Sequence, residues 1–309
     1  METKSIPWIE KYRPEVFDEI VLDPINRQIF ENILERDYVP NMLLYGPPGT
    51  GKTTTIINLI NRYQEKYNQV HKENVIHLNA SDERGIDIIR NQIQQFVKSC
   101  NFFNTGIKFV VLDEVDYMTK NAQHALKYLI QTANTNVRFC LICNYISKID
   151  PSLCNEFINI RFNQLPHKDI ESFIRLICKE EKISYTEKFI NGLINNYQSD
   201  IRSMINFLQL HHLYNTNEYK LPNNELWLNI KKHIDEKDNC GLKIYIHRIS
   251  IEYNMNKQVI LLSYFYYLFR NYPDWIEPCQ YSIIEHMCHV NKIDINDYID
   301  YICYQDKEE

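Results

Sequence analysis

Gly46-Pro-Pro-Gly-Thr-Gly-Lys-Thr53 is the stretch that decides the fold, because it matches the phosphate-loop pattern G-x-x-x-x-G-K-[ST] at every position. The chain contains only 7 glycines, and Gly46, Gly49 and Gly51 all lie in this loop. Glycine tolerates positive φ, so these positions can turn backbone N–H groups toward a phosphate. The apolar segment 42–45 predicts a strand before the loop, and a helical pattern from Lys52 follows it. A chance glycine turn is the alternative.

The residues of this loop predict a site for ATP and Mg²⁺. Lys52 is expected to reach the β- and γ-phosphates, and the Thr53 hydroxyl is expected to hold the metal. The remaining nucleotide contacts predicted in the loop are Gly46, Pro47, Pro48, Gly49, Thr50, Gly51 and Thr54.

The apolar stretch Phe109-Val-Val-Leu-Asp-Glu114 predicts a strand that ends in two carboxylates. Asp113 is expected to lie beside Mg²⁺, and Glu114 is expected to polarise the water that attacks ATP. Two acids at a strand end also occur in ordinary solvated turns. The phosphate loop favours the catalytic interpretation.

Two further residues are candidates for sensing the nucleotide. Asn144 ends the next predicted strand, where an amide can orient the water or contact the γ-phosphate. Arg202 opens a predicted helix in Ser199-Asp-Ile-Arg202, where a cation can reach the nucleotide and couple its state to a domain angle. Taken alone, the first is an ordinary turn residue and the second a surface arginine.

Apolar segments alternate with helical patterns as far as Phe162, which predicts an α/β fold with a parallel sheet. Its functional edge is expected at the carboxyl ends of the strands. Strands are predicted at 42–45, 74–78, 108–112, 138–143 and 158–162, with helices at 52–63, 86–97 and 122–130. After Pro166 three helices are predicted at 167–179, 186–197 and 201–214, and after a polar linker at 215–224 the pattern is helical to the end.

The composition of the 309-residue chain is that of a globular protein, with 44% hydrophobic and 24% charged residues. Its length predicts roughly two or three domains. The longest apolar run is shorter than the roughly 20 residues that span a bilayer, and the first residues lack the apolar core of a signal peptide. We therefore expect an intracellular protein with no membrane segment and with its 9 cysteines as free thiols.

The net charge of −6 excludes a uniformly basic surface for nucleic acid, but it is compatible with a local basic track. Cys140 and Cys143 form a C-x-x-C pair inside a predicted strand, where residues three apart point to opposite faces. A zinc site would also need a second ligand pair, so we expect no metal at these thiols.

Two longer segments resemble the replication factor C small subunits, which are AAA+ ATPases. One is Pro7-Trp-Ile-Glu-Lys-Tyr-Arg-Pro14, followed by Phe17-Asp-Glu-Ile-Val21, and the other is Asn79-Ala-Ser-Asp-Glu-Arg-Gly-Ile-Asp87. Residues 112–123 and the segment around Asn144 are similar as well. These two segments are far more specific for this family than the phosphate loop, which occurs in many families.

This resemblance is closest over about residues 5–145 and continues to about residue 210. It implies an AAA+ P-loop core with a parallel sheet at 1–165, a three-helix lid at 166–215 and an all-α collar for oligomerisation at 225–309. It also implies that Tyr12, Arg13, Pro14 and Val21 line the adenine pocket. The family roles of Lys52, Thr53, Asp113, Glu114, Asn144 and Arg202 are those already inferred from their chemistry.

The activity implied by the resemblance is that of a clamp-loader subunit. Such subunits form a hetero-pentamer, bind ATP, open a PCNA-type sliding clamp and load it on primer–template DNA in the nucleus or at a cytoplasmic viral replication site. An ATP-binding assembly subunit that does not hydrolyse ATP, or another AAA+ DNA-remodelling ATPase, are the alternatives.

The chain departs from the family where a Ser-Arg-Cys triplet gives an arginine finger to the ATP of a neighbouring subunit. The aligned residues here are Asn155-Glu156-Phe157. A glutamate would repel the charge that develops on the γ-phosphate, so we expect no finger at this position. One alternative is that another cation, such as Arg161, acts as the finger. The other is that this loop has diverged and is misaligned with the family.

Two predicted helices carry polar faces that, through the resemblance, would follow the DNA backbone. Arg90, Gln94 and Lys98 share one face of the first helix, and Lys120, His124, Lys127 and Gln131 share one face of the second. Contacts from Arg90, Lys120 and Lys127 to phosphates would be salt-dependent and independent of base sequence. An ordinary solvated helix face is the alternative.

Phe102 and Phe103 follow the first of these helices. Paired exposed aromatics suggest a protein partner, which in the family is the sliding clamp. The alternative is that both rings pack beneath the sheet.

Overall fold

The computed structural model of the chain describes residues 6–36, 38–81, 89–99, 106–213, 222, 224–253, 255–276, 278–289 and 295–304. The chain divides into two compact units, residues 1–216 and 217–309. The predicted core and lid fall in the first unit, and the predicted collar falls in the second. None of the helices in the described ranges combines the length and the apolar character that crossing a membrane requires.

A five-stranded parallel sheet forms the centre of the first unit, in the spatial order β2-β3-β4-β1-β5. The strands are β1 Met42–Tyr45, β2 Val75–Asn79, β3 Lys108–Asp113, β4 Val137–Cys143 and β5 Ile158–Arg161. Because β4 lies between β1 and β3 and all run in one direction, the residues that follow these three strands meet at one edge of the sheet.

Helices cover both faces of this sheet. Those of the first unit are α1 Trp8–Lys11, α2 Pro24–Glu35, α3 Lys52–Lys66, α4 Gln94–Lys98, α5 Lys120–Thr132, α6 Pro151–Cys154, α7 His167–Glu180, α8 Glu187–Tyr197 and α9 Ile201–Leu213. Local capping explains where several begin. The Asp23 carboxylate accepts a hydrogen bond of 2.9 Å from the N–H of Ile25, and the Thr119 hydroxyl accepts one of 3.3 Å from Ala122.

The sheet is buried on both faces, as continuous apolar strands in a parallel sheet require. One core layer joins the strands to α2 and α3 through Met42, Leu44, Phe109, Cys140, Ile142, Phe30, Ile56 and Leu59. The other joins them to α4 and α5 through Leu43, Val110, Leu112, Phe139, Leu141, Cys143, Val97 and Leu126. Cys140 and Cys143 thus lie on opposite faces, as predicted.

The second unit is helical over its described residues. Its α-helices are α10 Asn224–Asp235, α11 Asn239–Glu252, α12 Lys257–Asn271, α13 Pro278–His289 and α14 Ile295–Tyr304. They enclose a core of their own that contains Trp227, Ile246, Tyr264 and Phe265.

The predicted fold class, α/β with a parallel sheet followed by helices, is confirmed. The predicted helix at 86–97 differs in detail, because a π-helical turn at Ile89–Ile93 precedes α4 and residues 82–88 lie outside the described part. A hydrophobic period does not distinguish i→i+5 from i→i+4 hydrogen bonding over a single turn.

Phe30 tests the packing of α2. Its ring is fully buried and contacts the rings of Phe17 and Phe162, at centroid distances of 6.2 and 6.4 Å. Phe30→Ala is expected to lower the free energy of unfolding by about 3–5 kcal/mol through loss of burial and cavity formation. Ile25→Ala is the control, because Ile25 is exposed on the same helix, and should change it by no more than about 0.5 kcal/mol. Equal losses in urea denaturation would contradict this packing.

Candidate active site

The phosphate loop follows β1 and is shaped by its glycines. Gly46, Gly49 and Gly51 have φ angles of 147°, 74° and 83°. A Cβ at Gly46 would lie 2.2 Å from the carbonyl oxygen of Phe162, and a Cβ at Gly49 would lie 1.9 Å from Oδ1 of Asp200. The loop therefore touches both the end of the sheet and the residue that precedes α9.

Lys52 begins α3 and is buried. Its Nζ donates hydrogen bonds to the carbonyl oxygens of Gly46 at 2.9 Å and Pro47 at 2.8 Å. Burial lowers the pKa of this ammonium, and the Asp113 carboxylate opposes part of the shift. A buried cation whose partners are two neutral carbonyls is suited to receive an anion, because an anion compensates its desolvation better.

Thr53 and Asp113 join the phosphate loop to the end of β3. The Thr53 Oγ1 donates to Oδ2 of Asp113 at 2.6 Å, and Oδ1 of Asp113 accepts from the N–H of Glu114 at 2.9 Å. A hydroxyl beside a carboxylate, completed by phosphate oxygens and water, is a donor set that suits Mg²⁺. The residues present therefore fit a magnesium ion.

Glu114 has a left-handed backbone, with φ 55° and ψ 37°. For a residue with a side chain this conformation costs roughly 1–2 kcal/mol. Such strain persists only where neighbouring contacts hold it, and here the bond from the Glu114 N–H to Asp113 does so. The side chain remains partly exposed at the mouth of the cavity described next.

A cavity in the first unit is lined by the phosphate loop, the ends of β3 and β4, the N-terminal segment and helices α7 and α9 of the predicted lid. Predicted site residues that line it are Tyr12, Arg13, Pro14, Val21, Pro48, Gly49, Thr50, Gly51, Lys52, Thr53, Thr54, Asp113, Glu114, Asn144 and Arg202. Gly46 and Pro47 do not line it. Their carbonyl oxygens accept the hydrogen bonds of Lys52. The pKa of Lys52 is lowered mainly by burial and to a smaller extent by the positive charge of Arg202.

Sequence reasoning missed part of the wall of this cavity. The additional lining residues are Ile9, Glu10, Ile20, Phe173, Ile201 and Ile205. Ile9 and Glu10 lie inside the segment Pro7–Pro14, and Ile201 and Ile205 lie close to Arg202 on α9. Predicted site residues nearby in the sequence could therefore have indicated these four. Phe173 lies on α7 and no local pattern marked it.

The N-terminal segment is fastened to the lid. Glu181, at the end of α7, accepts hydrogen bonds of 2.6 Å from both Lys11 Nζ and the Tyr12 hydroxyl. Burial and the hydrogen bond to Glu181 together raise the pKa of Tyr12 to about 12. The Trp8 N–H donates to the side chain of Gln209 on α9 at 3.1 Å. The segment that lines the cavity therefore contacts two lid helices.

The residues predicted to contact DNA do not line this cavity. Gln94 and Lys98 are exposed on α4, Lys120 is exposed on α5 and Lys127 is partly exposed there. The π-helical turn that precedes α4 packs against α5, so the elements that bear the two predicted polar faces are neighbours. The backbone of Arg90 lies in that turn, whereas its side chain and both Phe102 and Phe103 lie outside what the structure describes.

Glu156 lies in the turn between α6 and β5. Its Oε1 accepts a hydrogen bond of 2.7 Å from the side chain of Gln131, at the end of α5. The neighbouring Phe157 is buried, whereas Asn155 is exposed. An anionic side chain is thus tethered to the helix that bears the predicted DNA face.

The loop glycines allow a matched test. Gly51→Ala is expected to cost about 1–2 kcal/mol of stability, because only its positive φ is unfavourable and nothing lies within 4 Å of the added Cβ. Gly49→Ala carries the same backbone strain and also displaces Asp200, whose cap on Ser203 is worth about 1 kcal/mol.

Urea denaturation without nucleotide should therefore show the larger loss for Gly49→Ala. Equal losses for the two variants would contradict the contact between the phosphate loop and Asp200.

Comparison with known proteins agrees with this geometry. Residues 42–165 match the family described as "ATPase family associated with various cellular activities (AAA)". The chain is 39% identical over 206 residues to replication factor C subunit 3 of Saccharomyces cerevisiae, covering 67% of this chain and 60% of that protein. It is 39% identical over 207 residues to replication factor C subunit 5 of Homo sapiens, with coverages of 67% and 60%.

An archaeal relative gives a similar result. The chain is 39% identical over 204 residues to replication factor C small subunit 2 of Pyrobaculum islandicum, covering 66% of this chain and 62% of that protein. The chain thus spans about 60% of the length of the curated relatives it matches.

Among solved structures, the RuvB Holliday junction branch migration motor of Thermotoga maritima superposes with a TM-score of 0.54 and 13% identity, covering 84% of this chain and 91% of that one. This likeness concerns the fold alone. Residues 42–165 are therefore similar to the AAA ATPase family, and about two thirds of the chain is similar to the small subunits of replication factor C.

Proposed function

We propose that this chain is an ATP-hydrolysing small subunit of a sliding-clamp loader of the replication factor C type. The observation that carries the proposal is the hydrogen bond between Thr53 and Asp113, which joins the phosphate loop to the carboxylate end of β3 in the cavity that also contains Lys52 and Glu114. Similarity to replication factor C small subunits favours a loader over other AAA ATPases.

In the proposed reaction the phosphates of ATP bind at the loop, where backbone N–H groups and the N-terminus of α3 face them. Lys52 exchanges its bonds to loop carbonyls for bonds to phosphate oxygens. Thr53 and Asp113 would hold Mg²⁺, which would neutralise charge on the β- and γ-phosphates. Glu114 accepts a hydrogen bond from the attacking water and directs it toward the γ-phosphorus.

Two further residues would report the state of the nucleotide. Asn144 orients the water from the end of β4, and Arg202 reaches the γ-phosphate from α9. Because the residue before α9 touches the phosphate loop at Gly49, a change in the phosphates is transmitted to the lid.

The base of ATP would lie against the N-terminal segment. Tyr12, Arg13, Pro14 and Val21 form one wall, and the apolar side chains of Phe173 and Ile205 extend it from the lid. The bond between Tyr12 and Glu181 fixes this wall to α7.

The partners in this proposal are the other subunits of a hetero-pentamer, joined through residues 225–309, a PCNA-type sliding clamp and primer–template DNA. Arg90, Gln94, Lys98, Lys120 and Lys127 contact the DNA backbone. Phe102 and Phe103 contact the clamp. The proposed location is the nucleus rather than a cytoplasmic viral replication site, because the chain is similar to replication factor C subunits of Saccharomyces cerevisiae and Homo sapiens.

The alternative function is an assembly subunit that binds ATP without hydrolysing it. Glu156 favours it, because an anion tethered at the position expected for an arginine finger would leave a neighbouring site without its cation. Another AAA+ DNA-remodelling ATPase is supported only by the fold likeness to a branch-migration motor.

Glu114→Gln separates hydrolysis from assembly. Within the reconstituted complex with clamp and primed DNA, the variant should lose about 100-fold or more of the turnover at this subunit's site, because the amide no longer polarises water. ATP binding should persist. Single-turnover hydrolysis with the other subunits' sites disabled measures this directly. Glu31→Gln, at an exposed position of α2 that does not line the cavity, is the matched control.

Unchanged turnover in Glu114→Gln would reject hydrolysis at this site and leave the assembly function. Absence of stimulation of the wild-type complex by clamp and DNA would reject the loader itself.

Glu156→Ala tests the missing finger. If this subunit supplies no finger, the variant should leave ATP turnover at the neighbouring subunit's site unchanged within about twofold, whereas loss of a true finger removes about 10³-fold or more. Turnover at that site is measured with all other sites disabled. A large loss of turnover at the neighbouring site would show that Glu156, or its hydrogen bond with Gln131, takes part in the neighbour's reaction.

A further inference from the structure

Two exposed tyrosines and a lysine converge beside the candidate active site. Tyr117 ends the 3₁₀ turn after β3, Tyr145 directly follows Asn144 after β4, and Lys148 ends the next 3₁₀ turn. The Lys148 Nζ lies over both rings, 5.4 Å from the centroid of Tyr117 and 4.9 Å from that of Tyr145, so a stacked base would take the opposite face of either ring. We call these three residues the tyrosine–lysine platform.

The adjacency of β3 and β4 explains why these residues meet. The strands are parallel neighbours, so the turns after them are in contact at the same sheet edge. Tyr117 is 62% exposed and Tyr145 is 58% exposed, although large aromatic surfaces are normally buried. Lys148 is exposed as well, and among the described residues it forms no ion pair.

Gln123 on α5 makes this surface rigid. It is almost fully buried, and its Nε2 donates to the carbonyl oxygens of Met118 and Lys148, both at 3.2 Å. Its Oε1 accepts from the N–H of Asp150 at 2.7 Å. One side chain thus ties the turn after β3 to the turn after β4. The backbone turns that bear the two rings are joined before any ligand binds, which lowers the entropic cost of binding.

We propose that the tyrosine–lysine platform binds single-stranded DNA, with an unpaired base stacked on Tyr117 or Tyr145 and the adjacent phosphate bound by Lys148. Proteins that bind single-stranded DNA without regard to sequence do so through aromatic rings, on which bases stack, and nearby cations, which bind phosphates. The exposed Lys120 and His124 on the first turns of α5 extend the polar track. The inference rests on the proposed loader function and names a contact to the unpaired part of a primer–template junction.

The test is equilibrium binding of the full chain to a single strand of about 12 nucleotides that carries 2-aminopurine, whose fluorescence falls on stacking. Tyr117→Ala should weaken this binding about tenfold and reduce the quenching, and Tyr117→Phe should restore both. Binding to a blunt duplex should be unchanged, because phosphate contacts dominate there.

Tyr38→Ala is the matched control. Tyr38 is 61% exposed and has a cation, Arg138, 5.9 Å from its ring centroid, but it lies before β1 at the opposite sheet edge. The Tyr38→Ala variant should bind the single strand with wild-type affinity.

Lys148→Met should lower the slope of log K against log salt by about 0.7, the value for one phosphate on a single strand.

Two results would overturn the proposal. One is wild-type affinity and quenching in Tyr117→Ala; if that variant also fails to assemble with the other loader subunits, the platform is a protein interface. The other is absence of single-strand binding by the wild type. If the wild type fails to bind the single strand but still binds the blunt duplex, the proposed loader function remains. If it binds neither, the DNA contacts of both proposals are rejected. If Tyr117→Ala lowers the thermal midpoint, Tyr117→Leu replaces it with the same criteria.

Discussion

The parallel pairing of β4 between β1 and β3 is the constraint on which the site depends. It brings the phosphate loop, Asn144 and Glu114 to one sheet edge although they are distant in sequence. The register follows from burial on both faces, because a shift of one residue would exchange Phe139 and Leu141 with Cys140 and Ile142 between two differently shaped core layers. The functional edge is therefore a consequence of how the apolar core is packed.

Two costly local states and a glycine-dependent loop lie at that edge. Lys52 is a buried ammonium, Glu114 has a left-handed backbone and the Gly46–Gly51 loop adopts positive φ angles. None of these is stable in isolation, and each is held by neighbours, such as Asp113 for Glu114 and two carbonyls for Lys52. Sites that bind anions and position water are where such states are expected, because a preorganised site does not reorganise at the moment of reaction.

Much of the fold and the phosphate side of the site could be predicted from the sequence, because the information there is local. The loop glycines, the strand before them and the acids after β3 each form a continuous pattern, and the predicted strands agree with the observed ones to within one residue at most ends. The strand order and the lid contacts could not be predicted in this way. Tyr12 and Glu181 are 169 residues apart, and Phe173 enters the cavity only through packing of the lid. The meeting of Tyr117 with Tyr145 likewise requires that β3 and β4 be neighbours.

The central claim is that the cavity binds ATP with Mg²⁺ through the phosphate loop. The most direct measurement is equilibrium binding of a fluorescent ATP analogue to the full chain, with Mg²⁺ and with a chelator, for the wild type and Lys52→Ala. The account predicts that the wild type binds, that chelation weakens binding, and that Lys52→Ala weakens it about 30-fold or more through loss of a desolvated charge contact. Equal affinity of the two proteins, or no effect of the chelator on the wild type, would contradict it.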